Sequence, residues 1–421
     1  MTYVLGILVF VAILVFSVAW HELGHFIPAK VFGVRVPQFM VGFGPTMFSR
    51  KRGGTEYGVK WLLLGGYIRM TAMYRPDPSA KAPTKGWRAR LAAEARAASR
   101  DEMADLKEGE GRAFYTLSAP RKAIIMLGGP TMNLILAVVL FGVVISGLGS
   151  YQMSTRVAEV AQCYDSFGNW AEVCEPGTTA GPAAGAGVLP GDKVVSWNDT
   201  AIDAWSDLGP AIATSGLAAG RLGVERDGQL LSLDVTPVQA TEDSRPVIGI
   251  SSSPEIVREP ISGVPSQFGQ AVAASAKVYA SLPVRVWNTT GDMIQGKPRD
   301  VESPLSMVGV ARISGEMGQE VNTPGVDSWR LRWAMWLQLG AAINIALWLF
   351  NMLPLLPLDG GHVVNAIFEG SRRTIARRRG KPDPGPADSA RLMPLTYAVV
   401  GLLVLMTVVL VAADIFNPIQ F

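Results

Sequence analysis

The sequence predicts a polytopic α-helical membrane protein, with four transmembrane helices, a membrane-associated β-sheet and one extracytoplasmic α+β domain. Three observations carry that prediction. The chain is 49% hydrophobic and only 17% charged over 421 residues, whereas soluble domains carry about 25% charged residues. Four stretches are apolar and free of charge, Thr2–Trp20, Ala123–Leu148, Trp333–Leu358 and Leu392–Ala413, and each approaches the roughly 20 residues a spanning helix needs. Finally, the 38 Lys and Arg are unevenly spread: 18 lie between Pro28 and Lys122, 7 between Glu369 and Arg391, and the remaining 13 across the much longer stretch from Ser150 to Arg332. Basic loops stay on the cytoplasmic side. Both termini and the Ser150–Arg332 region are therefore expected outside. The net charge of +3 is small and by itself argues for neither nucleic acid nor an acidic substrate; the apolar stretches make the lipid bilayer the partner.

In chain order, residues 1–27 form the first span. No Lys or Arg precedes Lys30, so this helix lacks the basic leader of a cleaved signal and is expected to be retained. Residues 28–119 hold a Gly-rich, alternating segment that reads as strands and hairpins, then a charged, Ala-rich stretch from Trp87 to Arg112, a helix or a linker. Residues 120–149 form the second span and 150–259 the outer domain. Residues 260–331 hold an amphipathic helix around Ser266–Trp287 and a linker. Residues 332–368 form the third span, 369–390 a basic cytoplasmic loop, and 391–421 the fourth span with an outer tail. Cys163 and Cys174, the only cysteines, fall in the outer domain, where paired cysteines form disulfides.

The chemistry centres on His21-Glu22-Leu23-Gly24-His25. Residues four apart share a helix face, so the two imidazoles can bind one zinc ion while Glu22 serves as general base toward a water. A hydrolytic zinc site takes three protein ligands. The first and third spans run in the same direction, which brings Asp359 of NMLPLLPLDGGH to the same membrane face as His21 and His25. His362 is the alternative third ligand. Asn344 and Asn351 share one helix face, and Pro354 and Pro357 interrupt the helix after them. These groups can either hold an unwound substrate backbone or bond neighbouring helices. The turn Gly42-Phe43-Gly44-Pro45 is either a strand edge onto which substrate adds or a simple turn.

HELGH on the first span paired with LDGGH after the third resembles the site-2 protease family of intramembrane zinc metalloproteases, in particular its regulator-of-sigma-E-protease branch. The likeness extends to GFGP at Gly42–Pro45, to GGPTMN at Gly128–Asn133 and to GPAAGAGVLPGDKVVSWNDTAI at Gly181–Ile202. The last of these is PDZ-like. A single PDZ-like domain with two nearby cysteines is closest to actinobacterial members. The resemblance implies regulated intramembrane proteolysis with one zinc ion per chain: Glu22 catalytic, His21, His25 and Asp359 on the metal, and Asn351, Pro354, Gly42, Phe43 and Gly44 along the substrate. It further implies single-span substrates, typically anti-sigma factors already trimmed by another protease. A metal transporter, or a membrane-anchored scaffold without catalysis, would use the same residues differently; only the protease needs Glu22 as a base.

Overall fold

The structure, a computed structural model, describes residues 2–76, 86–104, 106, 111–165, 170–171, 173–239, 245–297, 299, 303–319 and 328–418. Parts of two expected linkers, around residues 107–110 and 320–327, lie outside the described residues. The chain divides into two compact units: residues 1–148 with 259–421, and residues 149–258.

The first unit is built on long apolar helices. Helix α1 runs over Thr2–Val31 and carries no charge before Glu22. It does not stop near residue 27 as expected, because Pro28 sits inside it with the following turn still bonded, Phe32 N–H donating to Pro28 C=O at 2.9 Å. Strands β1 (Gln38–Arg52) and β2 (Thr55–Arg69) follow. Their register makes more than a hairpin: residues 38–41 pair both with 66–69 and with 56–59, and 56–59 pair again with 48–51. Two long bent strands thus make one small sheet of four paired segments. Helix α2 (Trp87–Ala104) is the helical option for the charged stretch. Helix α3 (Ala119–Gly142) continues as a π-helical turn over Val143–Leu148.

Within the second unit lie β3 (Ser150–Val160), β4 (Cys163–Tyr164), β5 (Trp170–Ala171), β6 (Thr179–Ala180), α4 (Pro182–Gly185), β7 (Lys193–Trp197), β8 (Thr200–Ala201), α5 (Trp205–Ser215), β9 (Gly220–Arg226), β10 (Gln229–Val235) and β11 (Ile250–Val257). The main sheet runs β10-β9-β7-β3-β11, with β8 paired to β7. Its core gathers Val157, Val160, Val194, Trp197, Leu222, Val224 and Ile248, and the Trp197 indole donates to Ser215 Oγ at 2.9 Å. The short β5-β4-β6 sheet carries the Cys163–Cys174 disulfide, Cα atoms 5.7 Å apart.

The first unit resumes with α6 (Val264–Gln295), α7 (Met307–Gln319), α8 (Ser328–Asn351), α9 (Asp359–Arg378) and α10 (Met393–Phe416). Three expectations are corrected here. Part of the expected 260–331 linker is α7, which lies backbone to backbone on α1: a Cβ on Gly6 would fall 2.1 Å from Ser314 O, and Ser314 Oγ donates to Gly6 C=O at 2.9 Å. Small residues permit this approach, but they leave a weak hydropathy signal. The third span is not one helix over 332–368. It ends at Asn351, and a new helix begins at Asp359, because prolines at 354 and 357 remove ladder donors and clash with a continuing helix. The expected loop 369–390 is helical as far as Arg378. Among the described residues four helices are long and apolar enough to cross a membrane: Thr2–Val31, Ala119–Leu148, Trp329–Asn351 and Ser389–Phe416.

Candidate active site

Helices α1 and α3 cross at glycine. A Cβ on Gly128 would sit 2.0 Å from Gly24 O, and one on Gly24 would sit 2.3 Å from Gly128 O. Only two glycines permit that distance. The crossing brings His21, Glu22 and His25 of α1 against the early turns of α3. The turn after α8 is equally tight. A Cβ on Gly360 would meet Met352 and Leu353 carbonyls at 2.4–2.5 Å, and Gly361 N–H bonds Leu358 C=O at 3.0 Å. The two glycines after Asp359 let residues 352–358 fold onto the start of α9 and hand Asp359 back to α1.

Three ligand atoms then face one another. His25 Nε2 lies 3.1 Å from His21 Nε2; Asp359 Oδ2 is 3.2 Å from His21 Nε2 and 3.3 Å from His25 Nε2. Tetrahedral zinc bonds of about 2.0–2.1 Å require ligand atoms about 3.3 Å apart, so the triangle has the size of one face of a zinc tetrahedron. Asp359 Oδ2 is buried without a hydrogen-bond partner, the state of an atom reserved for a metal. Gly129 supplies the space: a Cβ there would lie 2.2 Å from His25 Nε2 and 2.7 Å from His21 Nε2, in the cradle itself. His362 is not in this cluster.

The outer nitrogens are held as well. His25 Nδ1 is 2.7 Å from Ile125 O; it must donate there, which leaves Nε2 with its lone pair toward the metal. His21 Nδ1 lies 3.1 Å from the side-chain amide nitrogen of fully buried Asn133, while Asn133 Oδ1 is buried and unpartnered. Amide oxygen and nitrogen are assigned from their surroundings. Turning this amide lets Oδ1 accept from His21 Nδ1–H, which leaves His21 Nε2 its lone pair for a metal. Trp20 Nε1 donates to Met132 C=O at 2.9 Å and pins α1 to α3 one turn away.

Glu22 is 8% exposed. Its neighbour is β2: a Cβ on Gly66 would come 3.1 Å from Glu22 Cγ, and the carboxyl group comes up to the Ile68 backbone N–H. The sheet thus meets the motif through β2. Gly42 and Gly44 adopt positive φ, 95° and 81°, and Phe43 between them is exposed, its ring stacked on Tyr67 at 6.2 Å. Asn351 closes α8 and Pro354 lies in the turn beyond it. Asn344 instead bridges helices, its amide donating to Ser17 Oγ at 2.8 Å. Asn133 and Gly129 were not assigned roles from sequence. The available signal was an amide side chain alone in the apolar run of α3.

A metal-ready His-His-Asp face, a buried glutamate beside it and four membrane-length helices define a membrane-embedded metallohydrolase. The profile of Peptidase family M50 matches residues 9–382, and the chain belongs to that family. It is 31% identical to zinc metalloprotease Rip1 of Mycolicibacterium smegmatis over 100% of this chain and 99% of the relative. The same identity and coverage hold for zinc metalloprotease Rip1 of Mycobacterium tuberculosis. It is also 28% identical to metalloprotease MmpA of Caulobacter vibrioides, over 83% of this chain and 82% of the relative. The protein is a multi-pass membrane zinc metalloprotease of a family that cleaves membrane-protein substrates.

Proposed function

We propose that the protein performs regulated intramembrane proteolysis, cutting a peptide bond within the transmembrane segment of single-span regulatory proteins, anti-sigma factors being the class the family resemblance favours. The observation that carries this reading is the triangle of His21, His25 and Asp359 atoms, 3.1–3.3 Å apart, with the Glu22 carboxylate on the same helix face. Zinc bound by these three residues would supply Lewis-acid activation of water and of the scissile carbonyl. Glu22 takes the proton from the attacking water and returns it to the leaving amine. Ile125 and Asn133 hold the imidazoles in the ligating tautomer.

A substrate helix hides its carbonyls, so it must unwind before attack. The edge of β2 beside Glu22 and the Gly42–Phe43–Gly44 segment offer strand backbone onto which the extended peptide can add, and Asn351 and Pro354 lie on the chain path that delivers Asp359. The second unit, residues 149–258, is read as a PDZ-like extracytoplasmic domain that selects trimmed substrates. The basic residues near α1, α3 and α9 support a topology with both termini outside and the metal site toward the cytoplasmic side.

The test is cleavage of a single-span substrate by purified protein in detergent, with zinc measured by elemental mass spectrometry. Wild type should cut, and Glu22→Gln should keep one zinc per chain while losing at least about 10²-fold in rate. Zinc retention with undiminished cutting by Glu22→Gln removes the proposed base, and tight zinc binding without cutting of any single-span substrate returns the site to metal transport.

A further inference from the structure

At the membrane face where α3 and α10 begin, four arginines converge on one cleft: Arg75 after β2, Arg96 of α2, Arg372 of α9 and Arg391 just before α10. Phe368 lines the same cleft, and among the described residues Asp388 is its one carboxylate. Asp388 is already engaged, by Arg96 and by Arg391 Nε at 3.1 Å. Arg372 is held rigidly, its Nη2 donating to the carbonyls of residues 384, 385 and 386 at 2.7–3.3 Å, while its Nε is buried with no partner. Four guanidinium groups against one carboxylate leave an uncompensated charge of about +3 in a lined cavity. Guanidinium groups bind phosphate oxygens in fork geometry.

The surroundings identify the source of the phosphate. Helix α9 is amphipathic. Val364, Ile367, Phe368 and Ile375 are each about half exposed, at 49–59%, and their spacing sets them along one stripe of the helix. Next to the cleft, Leu392 and Leu395 at the start of α10 are also exposed. The Arg372 guanidinium lies 6.0 Å over the Phe368 ring, so charge and apolar surface meet at one residue pair. An exposed apolar stripe beside a basic cavity, at the level where the spans begin, has the two-part chemistry of a phospholipid: a phosphate in the cleft and acyl chains along α9 and α10.

We propose that this cleft is a specific site for the headgroup phosphate of an anionic phospholipid. The site lies on the helix whose first residue is Asp359. Arg372 stands 13 positions further along, about 20 Å at helical rise, so it is distinct from the metal site.

The full-length protein in a neutral detergent tests this by titration with short-chain phosphatidylglycerol, beside phosphatidylcholine and inorganic phosphate. Bound lipid is read by native mass spectrometry and the unfolding midpoint by thermal melting. Arg75→Gln/Arg391→Gln is the test variant, because both side chains lie at the exposed rim and hold no backbone. Wild type should retain one phosphatidylglycerol per chain with a raised midpoint, and the variant should bind it at least tenfold more weakly with its lipid-free midpoint unchanged. Equal retention by wild type and variant, or equal retention of phosphatidylcholine, overturns the proposal. A midpoint shift reproduced by inorganic phosphate alone also overturns it, since the site would then take a free anion.

Discussion

Gly129 is the residue at which packing and chemistry are least separable. Its missing side chain leaves open the space between the proposed ligands, because a methyl group there would stand 2.2 Å from His25 Nε2, closer than any non-bonded contact. Gly129→Ala is therefore expected to fold with its helices intact and to hold less than a tenth of an equivalent of zinc, measured on purified protein by elemental mass spectrometry. A full equivalent would show that the metal sits elsewhere. Asn133 acts one bond further out, on His21 Nδ1. Partners of this kind typically change metal affinity 10–100-fold, so Asn133→Ala should weaken zinc by that factor in competition with a chelator, and Asn133→Asp, which keeps an acceptor, should restore most of it. Equal affinities in all three proteins would exclude the flipped amide.

At the scale of elements, the second unit depends on a buried ion pair joining the turn before β7 to the end of β9. Arg226 Nε and Nη2 donate to the two oxygens of Asp192 at 2.7 Å each, and Leu189 N–H adds a third bond at 2.9 Å. The Arg226 guanidinium holds the Asp192 carboxyl below the usual carboxylate range. A carboxylate with a depressed folded pKa contributes its full stability above its unfolded value, about 3.9, and loses it as pH falls through the folded one. The melting midpoint of this unit should be insensitive to this pair between pH 7 and 5 and should drop below pH 4. Asp192→Asn should flatten the drop and lower the melting midpoint at pH 7; an unchanged acid limb in that variant would assign the drop to other groups. Element by element, the sequence was legible where apolar length or turn chemistry was strong. The four spans and HELGH on a helix could be read in advance. It was less legible where close approach decides the outcome. Helix α7 is short and rich in small residues, so its place on α1 comes from backbone contact at Gly6 and Ser314 rather than from hydropathy. The break after Asn351 was visible as prolines, yet its consequence, a new helix starting at Asp359, depends on Gly360 and Gly361 tolerating carbonyls at 2.4–2.6 Å. Asn133 could be seen as an isolated amide, but its partner lies 112 residues away.

At the scale of the whole molecule, the second unit is an insertion whose two ends leave the first unit side by side. Glu259 N–H donates to Ile145 C=O at 3.2 Å, so the π-helical end of α3 and the approach to α6 are already joined where the insertion departs. The residues proposed to hold the metal and their supports (His21, His25, Ile125, Gly129, Asn133 and Asp359) all belong to the first unit. Nothing in the zinc cradle therefore draws on residues 149–258, and replacing those residues by a short Gly-Ser linker should leave one zinc per chain. It should also leave the Gly24–Gly128 crossing in place, read as an efficient cross-link between cysteines introduced on the two helices one turn from the glycines. The unit's own staple stays local: the Cys163–Cys174 loop is about the size for which chain entropy gives roughly 3 kcal/mol, and that stabilisation vanishes with the insertion. If the second unit selects substrate, the excised protein should cut untrimmed single-span substrates at a rate approaching that for trimmed ones, while wild type keeps a clear preference. Loss of zinc on excision would mean that the metal site is assembled only in the presence of the second unit. Retained zinc with a retained preference would move substrate selection into the membrane unit, to the ribbon beside Glu22.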